Sequence, residues 1–127
     1  MTSSTAPFSH PDYLIVGHMT IDLTPNGPVL GGTAAYAGLT ASALGLRTCV
    51  VTSSGPGLNL KPLSNLHVIS LPSDASTVFE NIYGSNERRQ RVHSLGQAIP
   101  ASEIPSAWRE AGIVHLAPVA QEVDPLT

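Results

Sequence analysis

Two features of the sequence pair the right residue types with a spacing that could do chemistry. The first is Asp22 in Gly17-His18-Met19-Thr20-Ile21-Asp22. It lies just past a short apolar run, Tyr13-Leu14-Ile15-Val16, that reads as a strand buried on both faces. In open parallel sheets, ligands bind beyond the carboxyl ends of the strands. A carboxylate there can accept hydrogen bonds from two neighbouring hydroxyls of a sugar. An Asp also forms turns and caps, and position alone leaves both readings open. The second feature is Gly31-Gly32, directly before the Ala-rich segment that starts at Thr33. The first amides of a helix have no partner inside it, and glycines let a ligand lie against them. A tight strand-to-helix turn accounts for the pair equally well. No Lys-Ser or Lys-Thr follows, so this is not a Walker loop. Gly-x-Gly-x-x-Gly is absent, so it is not the dinucleotide fingerprint either. Gly55-Pro56-Gly57 supplies only a lone Gly-x-Gly.

The other polar clusters carry less. Arg88, Arg89 and Arg91 sit close together. On a strand, Arg89 and Arg91 share a face and could approach an anion. A solvated hairpin edge that resists aggregation is the reading these residues favour. The five histidines show no metal spacing, and no metal site is predicted. His115 in Ile-Val-His-Leu reads as a hydrogen-bonded core residue. Ser53-Ser54 reads as loop, no Ser/His/Asp arrangement is defensible, and no catalytic residue is assigned. Cys49, within Thr48-Cys49-Val50-Val51, reads as a buried structural thiol.

The elements that must position Asp22 and the glycines follow from local pattern. Thr24-Pro25-Asn26-Gly27-Pro28 is a turn, and Val29-Leu30 a short returning strand. Residues 33–44 (TAAYAGLTASAL) predict a helix. Its apolar stripe would be Tyr36, Leu39, Ala43 and Leu44, with Ala34, Ala37, Gly38 and Ala41 allowing close approach to a sheet. Gly45 suits the left-handed position after a helix. Thr48–Thr52 is a second buried strand, completing a βαβ unit with a right-handed crossover. His67–Leu71 is a third. Thr77–Tyr83 and Arg88–Ser94 flank the turn Gly84–Glu87, a hairpin standing off the main sheet. Pro105 and Gly112 bracket a short helix around Trp108. Ile113–Leu116 is another buried strand, and Asp124-Pro125 resembles the start of a further helix.

Composition sets the outer bounds. The chain has 127 residues, a length suited to one domain. Net charge is −3 and the only lysine is Lys61, which excludes a nucleic-acid binder that works by phosphate neutralisation. No apolar run reaches the ~20 residues of a membrane span. The N-terminus lacks the apolar core of a signal peptide. With one cysteine, this fits a cytoplasmic, reducing setting. Residues 1–11 read as a disordered leader and 12–127 as the folded part.

Together, Leu14-Ile15-Val16-Gly17, Asp22 and Gly31-Gly32-Thr33-Ala34-Ala35-Tyr36, opening a helix that ends Leu44-Gly45, resemble the N-terminal motif of the ribokinase-like (PfkB) carbohydrate kinases. Phe79-Glu80-Asn81-Ile82-Tyr83 with its Arg-rich return strand is similar to that family's lid. Ile113 to Pro118 is similar to its next core strand. The resemblance implies an α/β fold: the N-terminal part of a ribokinase-like, Rossmann-type sheet with a β-hairpin lid at about 77–94. It implies transfer of the ATP γ-phosphoryl group, with Mg²⁺, to a hydroxyl of a sugar or nucleoside. Asp22, Gly31, Gly32, Thr33 and Tyr36 would bind that acceptor, with Asn81, Tyr83 and Arg89 on the lid and a homodimer through the lid as a candidate assembly. Many members carry Asn where this chain has Tyr36. The family's Asp-Thr-x-Gly-Ala-Gly-Asp motif, which supplies the anion hole and general base, does not occur. The reading is therefore the acceptor half of a longer kinase, inactive by itself. A non-catalytic sugar- or nucleoside-binding module is the alternative, and the missing fingerprint disfavours a dinucleotide enzyme.

Overall fold

The computed structural model describes residues 10–125 and 127. Most of the leader expected at 1–11 lies outside the described residues. The first strand, β1 (Tyr13–Val16), pairs in parallel with β4 (Thr48–Ser54) on one side and with β8 (Ile113–Leu116) on the other. β5 (His67–Pro72) extends the sheet beyond β4, giving the order β5-β4-β1-β8. Successive side chains of a strand point to opposite faces, so β1 and β4 feed two cores. Ile15 and Val50 pack with Met19, Ala34, Ala35 and Leu66. Leu14, Val16, Cys49 and Val51 pack with Ile99, Ile104 and Trp108 on the other face. Cys49 is fully buried, and burial pushes its thiol pKa up to about 12.

A second sheet has the order β3-β2-β6-β7. β2 (Thr20–Thr24) and β3 (Gly27–Gly31) form a tight antiparallel pair. β6 (Thr77–Tyr83) lies parallel to β2, and β7 (Arg88–Ser94) returns antiparallel to β6. The expected hairpin is thus the outer half of a four-stranded sheet.

The helix α1 spans Thr33–Ala43 and ends at Gly45, which has φ 88°. Its expected apolar stripe is on the wrong side. Tyr36, Leu39 and Leu44 are 60%, 41% and 76% exposed, and the face against the sheet is Ala34, Ala35, Gly38 and Ala41. The reason is distance. A Cβ on Gly38 would lie 2.9 Å from Leu66 Cδ1, so the helix sits too close for a leucine between it and the sheet.

Other expectations also change. Residues 20–24, for which no element is predicted, form the strand β2 that carries Asp22. β4 continues through Ser53 and Ser54, which pair with Leu71 and Pro72 of β5 instead of forming a loop. The β8 strand was expected to be buried, but it is an edge strand with Ile113, Val114 and Leu116 exposed, because among the described strands it pairs only with β1. The helix around Trp108 is a single 3-10 turn, Trp108–Glu110. Thr127 N–H donates to Asp124 O at 2.9 Å. Among the described residues, no helix is long and apolar enough to cross a membrane.

Candidate functional site

Alternation along β2 puts Thr20 and Asp22 on one face. The Thr20 hydroxyl donates to Asp22 Oδ1 at 2.7 Å and fixes the carboxylate. Across the pair, Gly31 stands opposite Thr20. A Cβ on Gly31 would overlap Asp22 Oδ2 and lie 2.5 Å from Cγ. Gly31 is therefore the space the carboxylate occupies. Gly32 has a different task. Its φ of 90° turns the chain from β3 into α1, and a Cβ there would come within 2.7 Å of His18 O. No side chain caps the helix at Gly32, whose own carbonyl accepts from Ala35 N and Tyr36 N.

Asp22, Gly32, Thr33 and Tyr36 line a cavity of about 310 Å³, together with Thr20. The hairpin covers it with Phe79, Asn81 and Gln90. Gln90 stands opposite Asn81 in the register and donates from Nε2 to Asn81 Oδ1 at 3.1 Å. This leaves the Asn81 NH₂ as a free donor and the Gln90 carbonyl as a free acceptor at the cavity's lining. Tyr83 and Arg89 are not brought to the cavity. Tyr83 is exposed near the hairpin tip. Gln90 faces the cavity, so Arg89 faces away from it, and its side chain pairs with Glu87 at 3.2 Å in solvent.

The remaining wall follows β8. Val119 lines the first cavity and also a second of about 580 Å³, whose other residues include Val92, Leu95, Pro118 and Ala120. Phe79 and Gln90 are shared between the two, so they form one cleft with a polar and an apolar end. The wall is folded around Glu122, which is 4% exposed. Its carboxylate accepts from Val119 N at 3.0 Å, Ala120 N at 2.8 Å and His18 N at 2.8 Å. Burial pushes its pKa up, but the amides of His18, Ala120, Glu122 itself and Val119 pull it down by more, so the group sits below its ordinary value. Gln121 adopts a left-handed φ of 62° to complete the turn. The His18 ring is buried beside it. Gln97 O can only accept, so His18 Nε2 carries the proton of that 2.6 Å bond. In the neutral ring, Nδ1 then accepts from the Thr77 hydroxyl at 2.8 Å.

Sequence reasoning missed Thr20, Phe79, Gln90, Val119 and the His18–Glu122 pair. Gln90 could have been found by counting back from the Gly84–Glu87 turn to the partner of Asn81. Thr20 was findable from the alternation Thr20-Ile21-Asp22-Leu23-Thr24. His18 and Glu122 stand 104 positions apart, and no local pattern joins them. Among the described residues, no group of three or more His, Cys, Asp or Glu forms a cation site. Mg²⁺ that travels with a phosphoryl donor needs only one or two protein carboxylates beside the phosphates, and no described residue is assigned as its ligand.

No protein-family model matches the chain, and no curated protein does either. Solved structures do. A pyrophosphate-dependent kinase of the ribokinase family, in a sulfate complex, is 24% identical with a TM-score of 0.70, covering 88% of this chain and 43% of its own. The pyrophosphate-dependent kinase complexed with a pyrophosphate analogue and myo-inositol gives 23%, 0.65, 88% and 42%. Arabidopsis thaliana ribokinase with ribose and ATP gives 15%, 0.61, 90% and 46%. The fold is therefore ribokinase-like, with a parallel α/β sheet and a second sheet bearing the hairpin. The chain spans less than half the length of these neighbours.

Proposed function

We propose that this chain is the acceptor-binding part of a kinase that phosphorylates a hydroxyl of a small polyhydroxylated molecule, a sugar, nucleoside or cyclic polyol. The observation that carries this reading is the Asp22 carboxylate, oriented by Thr20 and given room by Gly31, facing a cavity flanked by the hairpin amides of Asn81 and Gln90. A carboxylate flanked by amide donors and acceptors suits adjacent hydroxyls, which both donate and accept. Asp22 would accept from two ligand hydroxyls, Asn81 and Gln90 would bond others, and the hairpin would exclude water. The solved neighbours hold ribose with ATP in one case and myo-inositol with a pyrophosphate analogue in another. The donor proposed here is accordingly ATP with Mg²⁺, or pyrophosphate. This chain contributes binding, and no described residue is assigned as the base for phosphoryl transfer.

The test is calorimetric titration with myo-inositol, ribose and adenosine. One of them should bind the wild type, and Asp22→Ala should weaken that binding by ~1.5–3 kcal/mol, the scale of hydrogen bonds to a charged group. Binding unchanged in the variant would refute the role of Asp22. Incubation with ATP or pyrophosphate and Mg²⁺ tests the chemistry. Acceptor-dependent phosphoryl transfer above that of the Asp22→Ala protein would show a catalytic base in this chain and overturn its assignment to binding alone.

A further inference from the structure

A buried carboxylate is tolerated where donors meet its lone pairs. Glu122 recruits them from two distant parts of the chain. The Val119 and Ala120 amides are local and would by themselves describe a turn-closing residue. The His18 amide lies between β1 and β2, in the other half of the sequence. From His18 the contacts run on to both ends of the hairpin. Its ring bonds the hydroxyl of Thr77, the first residue of β6, and the carbonyl of Gln97, just past β7. The Thr77 hydroxyl also accepts from Gly96 N at 2.9 Å. Gly96 packs flat on the ring, since a Cβ there would lie 3.3 Å from His18 Cε1 and Nε2. On the opposite side, His18 O rests against Gly32. The cleft floor at Gly32, the two hairpin ends and the Val119 wall therefore meet at one buried pair.

We propose that Glu122, acting through His18, is a positioning residue that ties the Val119 wall of the cleft to the base of the hairpin and so sets the cleft's width. The proposal rests on the acceptor-binding reading for its consequence, but the tie itself is independent of any ligand. The variant is Glu122→Gln, which keeps the size and turns an NH₂ group toward amide donors. Hydrogen exchange of the ligand-free protein should show the amides of His18, Val119 and Gly96 exchanging about tenfold faster or more, while Val50 and Val51 of β4 keep their wild-type rates. Affinity for whichever of myo-inositol, ribose and adenosine binds the wild type should fall at least about tenfold. Acceleration confined to Val119 and Ala120, with Gly96 unchanged, would make Glu122 a local turn residue and overturn the proposal. Accelerated exchange at Gly96 with unchanged affinity for that ligand would overturn its control of the cleft. A wild type that binds none of myo-inositol, ribose and adenosine would refute the acceptor reading, while the exchange result would still decide the tie. Should Glu122→Gln fail to fold, Thr77→Val perturbs the same tie from the other end. It should accelerate exchange at Val119 and Ala120, and wild-type rates there would refute the coupling.

Discussion

Gly31→Ala isolates the orientation of Asp22 from the strength of its charge. Among the glycines, Gly31 is outside the positive-φ set, so alanine suits its backbone and the effect is steric. The new methyl carbon would overlap Asp22 Oδ2, 2.5 Å from Cγ and 2.9 Å from Oδ1. The carboxylate must swing away and lose the 2.7 Å bond from Thr20. Stability should change by no more than about 1 kcal/mol. The net worth of a typical intramolecular hydrogen bond is ~0.5–1.5 kcal/mol, and replacing Gly by Ala returns ~0.4–1 kcal/mol through the unfolded chain. Ligand affinity should suffer more. A displaced carboxylate forfeits at least one charged hydrogen bond of ~1.5–3 kcal/mol, or roughly 12-fold to 140-fold in Kd. Calorimetry with the ligand that binds the wild type measures the affinity, and urea unfolding measures the stability. Gly27→Ala is the inverse control. Gly27 has φ 113° and an added Cβ meets nothing within 4 Å, so stability should fall and affinity should hold. A Gly31→Ala protein that binds within twofold of wild type would refute the argument that Gly31 makes room for the Asp22 carboxylate.

Three further outcomes are expected. Gly17→Ala places a methyl in overlap with the backbone carbonyl of Ala117, forcing β1 and the end of β8 apart, and should cost about 1–3 kcal/mol in urea unfolding. Cys49, buried and with its thiol pKa pushed up to about 12, should resist an aromatic disulfide reagent at neutral pH and react fully once the chain is unfolded. Glu122 has a folded pKa below its ordinary 4.5. Its contribution is therefore full above the unfolded value and is lost as pH falls through the lower folded one. Urea titrations should show the stability gap between wild type and Glu122→Gln shrinking as pH drops below 4.5.

What the sequence made legible is what short-range pattern encodes. The apolar run Tyr13–Val16, the turn at Gly84–Glu87 and the Gly31-Gly32 step into Thr33 each declare an element within a few residues. The face of α1 was not legible. Periodicity favoured Leu39 and Leu44, while the sheet's proximity at Gly38 selects the small residues instead. The burial of β8 was not legible because an apolar run does not say whether it has one neighbouring strand or two. β2 was not legible because its alternation, Thr20-Ile21-Asp22-Leu23-Thr24, is short and runs directly into the turn at Pro25. Of the expected site, Asp22, Gly32, Thr33, Tyr36 and Asn81 converge on one cavity, and Gly31 stands directly behind Asp22. Tyr83 and Arg89 stay apart, since strand alternation and hairpin length, rather than residue type, decide what reaches a cleft.

Asp22 belongs to the same sheet as the hairpin, because β2 pairs with β6 and carries Asp22 beside Phe79. Gly32 and Thr33 instead open α1, which packs on the central sheet. The seam between the two sheets therefore passes between the two glycines. A molecule held at once by the Asp22 carboxylate and at Thr33 spans that seam like a rivet. Its grip is mechanical as well as chemical, because pulling the jaws apart then means tearing the ligand from one of them. The chain should resist shear between its sheets more strongly when loaded than when empty, and stretching it as a single molecule would read that difference as force.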